Sequence, residues 1–419
     1  MRIAIYEPQP RICGPCTWAS QLRWGARQDG HDCDVVTFMK SGRPRLKWGR
    51  VLRENGSDDS CVLLPDRCER LDHAGEVLDE YDLIILTDVK VPLHDKTAMK
   101  RGELPEYIEV LSGTITPFVG SLHETKYYEE HEVPKGMTAV SGSPFIGELL
   151  DLPNFCGKLL TPSRDFVQHC ERLRRVTEGP VITSPYRPRH TVDELRALLP
   201  DKTERTLCML SRSLPSKHWH VITEAAIASL LDGWRVTLAG ACNATLSPSY
   251  TFELYERLTA VGYDGDRRGG VCNTTSWTAS LGPRADIFYY GAYADPMEGA
   301  RWSRVHVSLS DCKYSGGLNE FTTMESVDCG CAPVITQPFV PHAGTSAEYT
   351  VMSRGFTGLS MPTLIKREDA LDILEDVRDA VVTAHDRWCE DLVIHNLETI
   401  TREHDPRLVL RRLVEAAGL

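Results

Sequence analysis

The chain predicts an α/β protein of two domains, each built on a parallel sheet and facing the other across a cleft. Three observations carry that expectation. Within the first 38 residues an apolar run from Arg2 to Tyr6 is followed by a helical pattern from Thr17 to Gln28, ending at Gly30, and by a second apolar run from Asp34 to Phe38. Strand, loop, helix, strand is the opening unit of a parallel sheet. A chain of 419 residues also exceeds what one ordinary core serves, so two domains of about 200 residues are expected. Finally, an aperiodic stretch from Glu178 to Thr191 carries Pro180, Pro185 and Pro188, and proline-rich connections stiffen the path between domains and mark their boundary. The expected domains are residues 1–190 and 191–395, with a closing segment at 396–419.

Composition narrows the class. Hydrophobic residues at 42% and charged residues at 25% are those of a soluble globular protein. No run of about 18 apolar residues occurs, and MRIAIYEPQP turns polar too soon to be a signal peptide, so a cytoplasmic protein is expected. The fourteen cysteines are scattered, which suggests reduced thiols rather than a disulfide framework. A formal net charge of −12 argues against a generally basic nucleic-acid binder but leaves room for a local basic face.

In the first domain, the loop after the opening strand holds Cys13-Gly14-Pro15-Cys16. Ligands of open parallel sheets meet the loops at the carboxyl ends of strands, so Gly14 is a candidate for close backbone approach to a phosphate or sugar. The same four residues form a dithiol motif, and a Cys-x-x-Cys at a helix N-terminus lowers a thiolate pKa. Its place directly after the first strand, with Ile12 where thioredoxins have tryptophan, argues against a dithiol oxidoreductase. From Lys40 to Arg53 run six cations with no acid: Lys40, Arg43, Arg45, Lys47, Arg50 and Arg53, with Trp48 among them. The run is either a solvated loop or a clamp on a phosphate backbone. Strands are expected at Tyr81–Leu86, Thr116–Gly120 and Lys158–Ser163, the last leading into a helix to Arg175. The second of these runs into His123-Glu124, a His–acid pair at the carboxyl end of a strand.

In the second domain, Thr206–Leu210 reads as a strand, followed by Arg212 and Lys217. An arginine fork and a lysine point charge after a strand can straddle a diphosphate. Further strands are expected at Trp234–Gly240, Asp286–Gly291 and Val305–Ser310, while residues 243–284, rich in Gly, Thr and Ser, show no assignable element. The stretch Lys313–Ile335 then offers a small-residue loop (Ser315, Gly316, Gly317), a helical run carrying Glu320 and Glu325, and a short strand at Pro333–Ile335. A loop that opens a helix leaves first-turn N–H groups for an anion such as a diphosphate, and a carboxylate one to two turns in can hold vicinal hydroxyls. This reads as a nucleotide-sugar site, although an ordinary αβ connection can also carry two glutamates. Asp32/Asp34 and Asp264/Asp266 form Asp-x-Asp pairs, but the first opens a strand at its wrong end and the second lies in the unassigned tract, so neither is read as a metal site. Three closing helices are expected at Asp369–Asp386, Trp388–His404 and Pro406–Leu419.

The order glycine-rich loop, Glu325, Cys329-Gly330, Pro333-Val334 resembles the donor signature of retaining GT-B glycosyltransferases. Arg212 with Lys217 resembles the Gly-Arg…Lys-Gly pattern of the same family, with Ser211 and His218 in place of the glycines. Many members have an acid eight residues before the second glutamate, where this chain has Gly317. The form Leu318-Asn319-Glu320-Phe321-Thr322-Thr323-Met324-Glu325 is closer to the DNA α-glucosyltransferases of T-even bacteriophages, whose first acid stands at the Glu320 position. That branch has His-Asp where this chain has His123-Glu124, one methylene longer.

The resemblance implies a GT-B fold of two Rossmann-like domains with the terminal helix crossing back onto the first. It implies a retaining hexosyltransferase that moves a sugar, glucose from UDP-glucose, to a hydroxymethylated base in phage DNA, in the cytoplasm of an infected host. Donor contacts would come from Gly14, Arg212, Lys217, Gly316, Gly317, Glu320 and Glu325, and catalytic groups would be His123, Glu124 and Glu320. Double-stranded DNA would meet Arg43, Arg45, Lys47 and Arg50. No cofactor, essential metal or membrane is expected. The alternatives are transfer to a small molecule or polysaccharide, and a catalytically silent DNA-binding relative.

Overall fold

The computed structural model describes residues 1–7, 14–37, 61–63, 71–87, 106–121, 143–160, 176, 182–210, 217–239, 242–243, 260, 264–269, 274–280, 286–289, 300–309, 320–336, 357–359 and 370–419. The chain divides into two units, residues 1–187 with 403–419, and residues 188–402.

The first unit holds strands β1 (Arg2–Tyr6), β2 (Asp32–Thr37), β3 (Cys61–Leu63), β4 (Leu83–Leu86), β5 (Phe118–Ser121) and β6 (Phe155–Leu160). They form one parallel sheet in the order β3-β2-β1-β4-β5-β6, the doubly wound order. Its helices are α1 (Gly14–Gln28), α2 (Leu71–Leu78), α3 (Glu106–Ser112) and α4 (Ser143–Leu150), joined by the terminal helix Pro406–Ala416. A parallel sheet covered on both faces calls for continuous apolar runs, and β4, Leu-Ile-Ile-Leu, is buried at every position. Against the sheet residues Ala4, Tyr6, Ile84, Leu86 and Phe118 pack Leu78, Tyr107, Leu111 and Leu149 of the helices. The terminal helix approaches α1 closely because Gly25 has no side chain: a Cβ there would lie 2.6 Å from the Pro406 carbonyl carbon.

A polar row crosses the carboxyl edge of this sheet. The Glu7 N–H donates to Val36 O and the Thr87 N–H to Tyr6 O, which sets Thr37, Glu7, Thr87 and Ser121 side by side one residue beyond the last apolar row. All four are fully buried. The Thr87 hydroxyl donates to a Glu7 carboxylate oxygen at 2.6 Å, and the Ser121 hydroxyl donates to Thr87 O. The order reverses between β1 and β4, so a buried carboxylate stands at the switch point of the first unit.

The second unit holds β7 (Thr206–Leu210), β8 (Arg235–Ala239), β9 (Cys242–Asn243), β10 (Asp264–Gly269), β11 (Thr274–Ser280), β12 (Asp286–Tyr289), β13 (Val305–Ser308), β14 (Ala332–Thr336) and β15 (Thr357–Leu359). A parallel sheet runs β15-β14-β13-β7-β8. The helices are α5 (Val192–Leu198), α6 (Trp219–Leu231), α7 (Phe321–Asp328), α8 (Leu374–Asp386) and α9 (Glu390–Glu403). Leu207, Met209, Val305, Val307 and Val334 of the sheet pack against Trp219, Ile222, Ala226, Val377 and Val381. The linker ends where α5 begins, in a capping box: the Glu194 N–H donates to Thr191 Oγ1 and the Thr191 N–H to the Glu194 carboxylate, two orphan groups satisfied reciprocally.

The tract that showed no assignable element carries a second, antiparallel sheet, β10-β11-β12, with β9 on β11. Its strands, DGDRRG and TTSWTAS, have little apolar alternation, so the periodicity that reveals half-buried strands is absent. Asp264 and Asp266 therefore stand on a strand, β10, and β12 pairs antiparallel rather than in the parallel sheet. Among the described residues no helix is long and apolar enough to cross a membrane.

Candidate functional site

In the second unit β7 lies between β8 and β13, so the switch point is at the carboxyl ends of β7 and β13, where ligands of open α/β sheets bind. The chemistry-bearing residues meet there. Lys217 follows β7 and Glu320 follows β13; the Lys217 ammonium pairs with Oε1 of Glu320. Ser308, the last residue of β13, donates its hydroxyl to Oε2 of the same carboxylate at 2.9 Å. The Lys217 and Glu320 side chains are 24% and 14% exposed, so the pair is accessible while its charges are poorly screened by water.

His218 explains a departure from the glycine pattern. Its φ is 49°, in the left-handed region that favours glycine but admits histidine. The ring compensates: its Nδ1 lies 2.5 Å from Leu309 O, just beyond β13, and the residue is buried. Its own carbonyl accepts from the N–H groups of Val221 and Ile222, which starts α6. Lys217 is thus held between the end of β13 and the first turn of α6.

Glu320 was expected inside the helix with Glu325, and the structure corrects this. Glu320 is the N-cap of α7, with φ −84° and ψ 131°. Its carbonyl accepts from Thr323 and Met324 N–H, while its carboxylate turns back to Ser308 and Lys217 and makes no cap. An extended N-cap residue leaves the helix axis and frees its side chain for the strand end. Glu325 sits in α7, partly buried. In the first turn, the hydroxyls of Thr322 and Thr323 are buried with no hydrogen-bond partner among the described residues. A positive helix end with spare donors suits an anion.

The far end of α7 is anchored by residues that sequence reasoning missed. Asp328 is fully buried, and its carboxylate accepts the backbone N–H groups of Arg189 at 2.7 Å and His190 at 3.1 Å. The His190 Nδ1 lies 3.1 Å from Asp328 Oδ1 and 3.0 Å from its carbonyl. The hydrogen bond to Asp328 raises the His190 pKa, against the opposing effect of burial. The helix closes in a Schellman motif: the Gly330 N–H donates to Val327 O and the Cys331 N–H to Ser326 O, with Gly330 at φ 84°. A Cβ on Gly330 would also lie 2.9 Å from Leu199 Cδ2. Gly330→Ala is therefore expected to destabilise the second unit by about 1–3 kcal/mol, read as a shift in the urea midpoint at unchanged slope; an unchanged midpoint would contradict this account.

Of the other sequence candidates, Gly14 opens α1 after β1. His123, Glu124, Arg212, Gly316, Gly317, Arg43, Arg45, Lys47 and Arg50 lie outside the described residues, as do the Lys40–Arg53 run and Cys13. Ser308 carried a weak signal, a hydroxyl at the end of an apolar strand. Asp328 carried none, because its partners are distant in sequence.

Solved structures share this arrangement of elements. The chain is similar to Anabaena Alr3699/HepE in complex with UDP, at 15% identity, a TM-score of 0.58 and 100% of both chains covered. It is similar to an alpha-glucosyltransferase in complex with UDP and a 13-mer DNA containing a HMU base, at 13% identity, a TM-score of 0.60 and 100% of both chains covered. The fold is that of the GT-B glycosyltransferases. Sucrose-phosphate synthase from Thermosynechococcus elongatus shares it at 13% identity and a TM-score of 0.57, over 99% of this chain and 98% of the other. No protein-family model matches the sequence, and no curated protein matches it. In GT-B terms the Lys217–Glu320–Ser308 cluster belongs to the C-terminal of the two parallel-sheet units.

Proposed function

We propose that the chain is a retaining hexosyltransferase that moves glucose from UDP-glucose to a hydroxymethylated pyrimidine in DNA. The observation that carries the reading is the meeting of Lys217 with Glu320 at the switch point of the second unit, beside the N-terminus of α7. A lysine there supplies the charge a diphosphate needs, and Glu320 and Glu325 supply acceptors for sugar and ribose hydroxyls. The UDP complexes among the similar structures support the donor, and the DNA complex among them supports the acceptor.

In the proposed reaction the bond between the anomeric carbon and the β-phosphate oxygen breaks while a bond to the acceptor oxygen forms on the same face. The acceptor proton passes to the departing phosphate oxygen. Arg212, Lys217, Gly316, Gly317 and the α7 N-terminus stabilise the charge that develops on the diphosphate, which is where fixed donors act most strongly. Those groups balance the charge with no metal. His123 and Glu124 position acceptor and sugar, Gly14 lets the backbone approach, and Arg43, Arg45, Lys47 and Arg50 grip the DNA backbone. The target base must leave the stack for its hydroxymethyl group to reach the donor. If the chain is phage-encoded, it works in the host cytoplasm.

A second reading, transfer to a small molecule, draws on the likeness to sucrose-phosphate synthase. Incubation with hydroxymethylcytosine DNA, hydroxymethyluracil DNA and a panel of UDP-sugars, followed by mass spectrometry of the nucleosides, separates the two. One added hexose on a hydroxymethyl nucleoside supports the DNA reading. UDP-sugar turnover without nucleoside modification favours the small acceptor, and DNA binding without any turnover would indicate a silent relative.

A further inference from the structure

We propose that Ser308 is a positioning residue that makes the site read the sugar of its donor, by holding Glu320 after Lys217 has left it for the diphosphate. The proposal rests on the donor-site reading above. The two oxygens of Glu320 have different partners: Oε1 faces the Lys217 ammonium and Oε2 accepts the Ser308 hydroxyl at 2.9 Å. These partners differ in what a donor does to them. Lys217 sits on a long flexible stem at a half-open position, and a diphosphate brings several negative charges against the single charge of Glu320. The ammonium is therefore drawn toward phosphate.

Ser308 is held differently. It is 1% exposed, so water does not compete for its one donor. It also ends β13, a strand buried throughout, and is itself paired with Ile335 of β14, so its backbone is fixed. A carboxylate tethered through Oε2 to a rigid strand presents Oε1 in one orientation, and an acceptor fixed in direction distinguishes a correctly placed sugar hydroxyl from a misplaced one. Without that tether, Glu320 turns about its own torsions and the orientation must be recovered from the sugar's binding energy. Ser308 thus serves the sugar and not the nucleotide.

Isothermal titration in the absence of acceptor tests this with UDP and UDP-glucose as probes. For Ser308→Ala, UDP affinity is expected to stay within about twofold of wild type, while UDP-glucose affinity falls about tenfold, the size of a lost charge-assisted hydrogen bond. Ser308→Thr, which keeps a hydroxyl, is expected to recover most of the loss. In a Glu320→Ala background, which removes the acceptor, Ser308→Ala should have no further effect on UDP-glucose, because the two act as one unit. A purely structural Ser308 would instead weaken both probes alike and add to Glu320→Ala. Equal losses for UDP and UDP-glucose, or full additivity, would overturn the proposal while leaving the donor site standing. Failure of wild type to bind UDP at all would remove the donor reading and this proposal with it.

Discussion

Asp328→Ala is expected to lower the stability of the second unit by about 3 kcal/mol, more than any exposed substitution in it. The carboxylate is fully buried and accepts two backbone N–H groups, those of Arg189 and His190, besides facing the His190 ring. Removing it leaves both N–H groups without an acceptor, and each such loss costs about 1–3 kcal/mol. Asp328→Asn keeps the volume but offers one acceptor oxygen for two N–H groups, so it should recover part of the loss. The effect should depend on pH in a definite direction. The bond to Asp328 raises the folded-state pKa of His190 above its ordinary value of about 6.5. The contribution of the protonated pair is thus fully present below that ordinary value and is lost as pH rises through the raised one. Urea unfolding of wild type and Asp328→Ala across pH 5 to 9 should show a gap that narrows on the alkaline side without closing, since the backbone bonds remain. A gap under about 0.5 kcal/mol, or one that widens with pH, would refute this role.

The same residues show where the sequence could and could not be read. Runs such as Leu-Ile-Ile-Leu in β4 and Thr206–Leu210 in β7 declare buried parallel strands, because both of their faces are covered and all but Thr206 of their residues are apolar. The strands β10 and β11 were missed because DGDRRG and TTSWTAS show almost no apolar contrast, whereas β12 was read as a strand and only its antiparallel pairing with β11 was not. At the site, the chemical types of Lys217 and Glu320 were legible from their places after strands. Their pairing across 103 residues, and the N-cap placement that turns Glu320 toward β13, are products of tertiary packing. The family pattern has a glycine after Lys217 where this chain has His218; the left-handed φ of His218, and Leu309 O as its compensation, are seen only in the fold. Asp328 and its linker partners form a contact between segments that only the fold brings together.

Lys217→Ala is expected to weaken UDP binding by about 10- to 150-fold, the equivalent of roughly 1.5–3 kcal/mol for a charge-assisted contact to the diphosphate. In EDTA the loss should be the same, since the proposed site balances the diphosphate with its own cations. The ion pair with Glu320 adds a condition that a free lysine would not meet. Before Lys217 can bind phosphate it must give up Oε1 of Glu320, so part of its attraction to the donor is offset by the lost pair. Replacing Glu320 by Gln removes that competitor and keeps the side chain's shape. Glu320→Gln should therefore bind UDP at least as tightly as wild type, even as it loses contacts to the sugar of UDP-glucose and transfers poorly. The double substitution Lys217→Ala with Glu320→Gln should fall back to the weak UDP affinity of Lys217→Ala, because the benefit of removing the carboxylate acts only through the lysine. Titration calorimetry on the four proteins settles the matter in one series. Wild-type UDP affinity in Lys217→Ala would place the diphosphate elsewhere, and weaker UDP binding in Glu320→Gln would mean that the carboxylate supports the diphosphate site rather than competing with it.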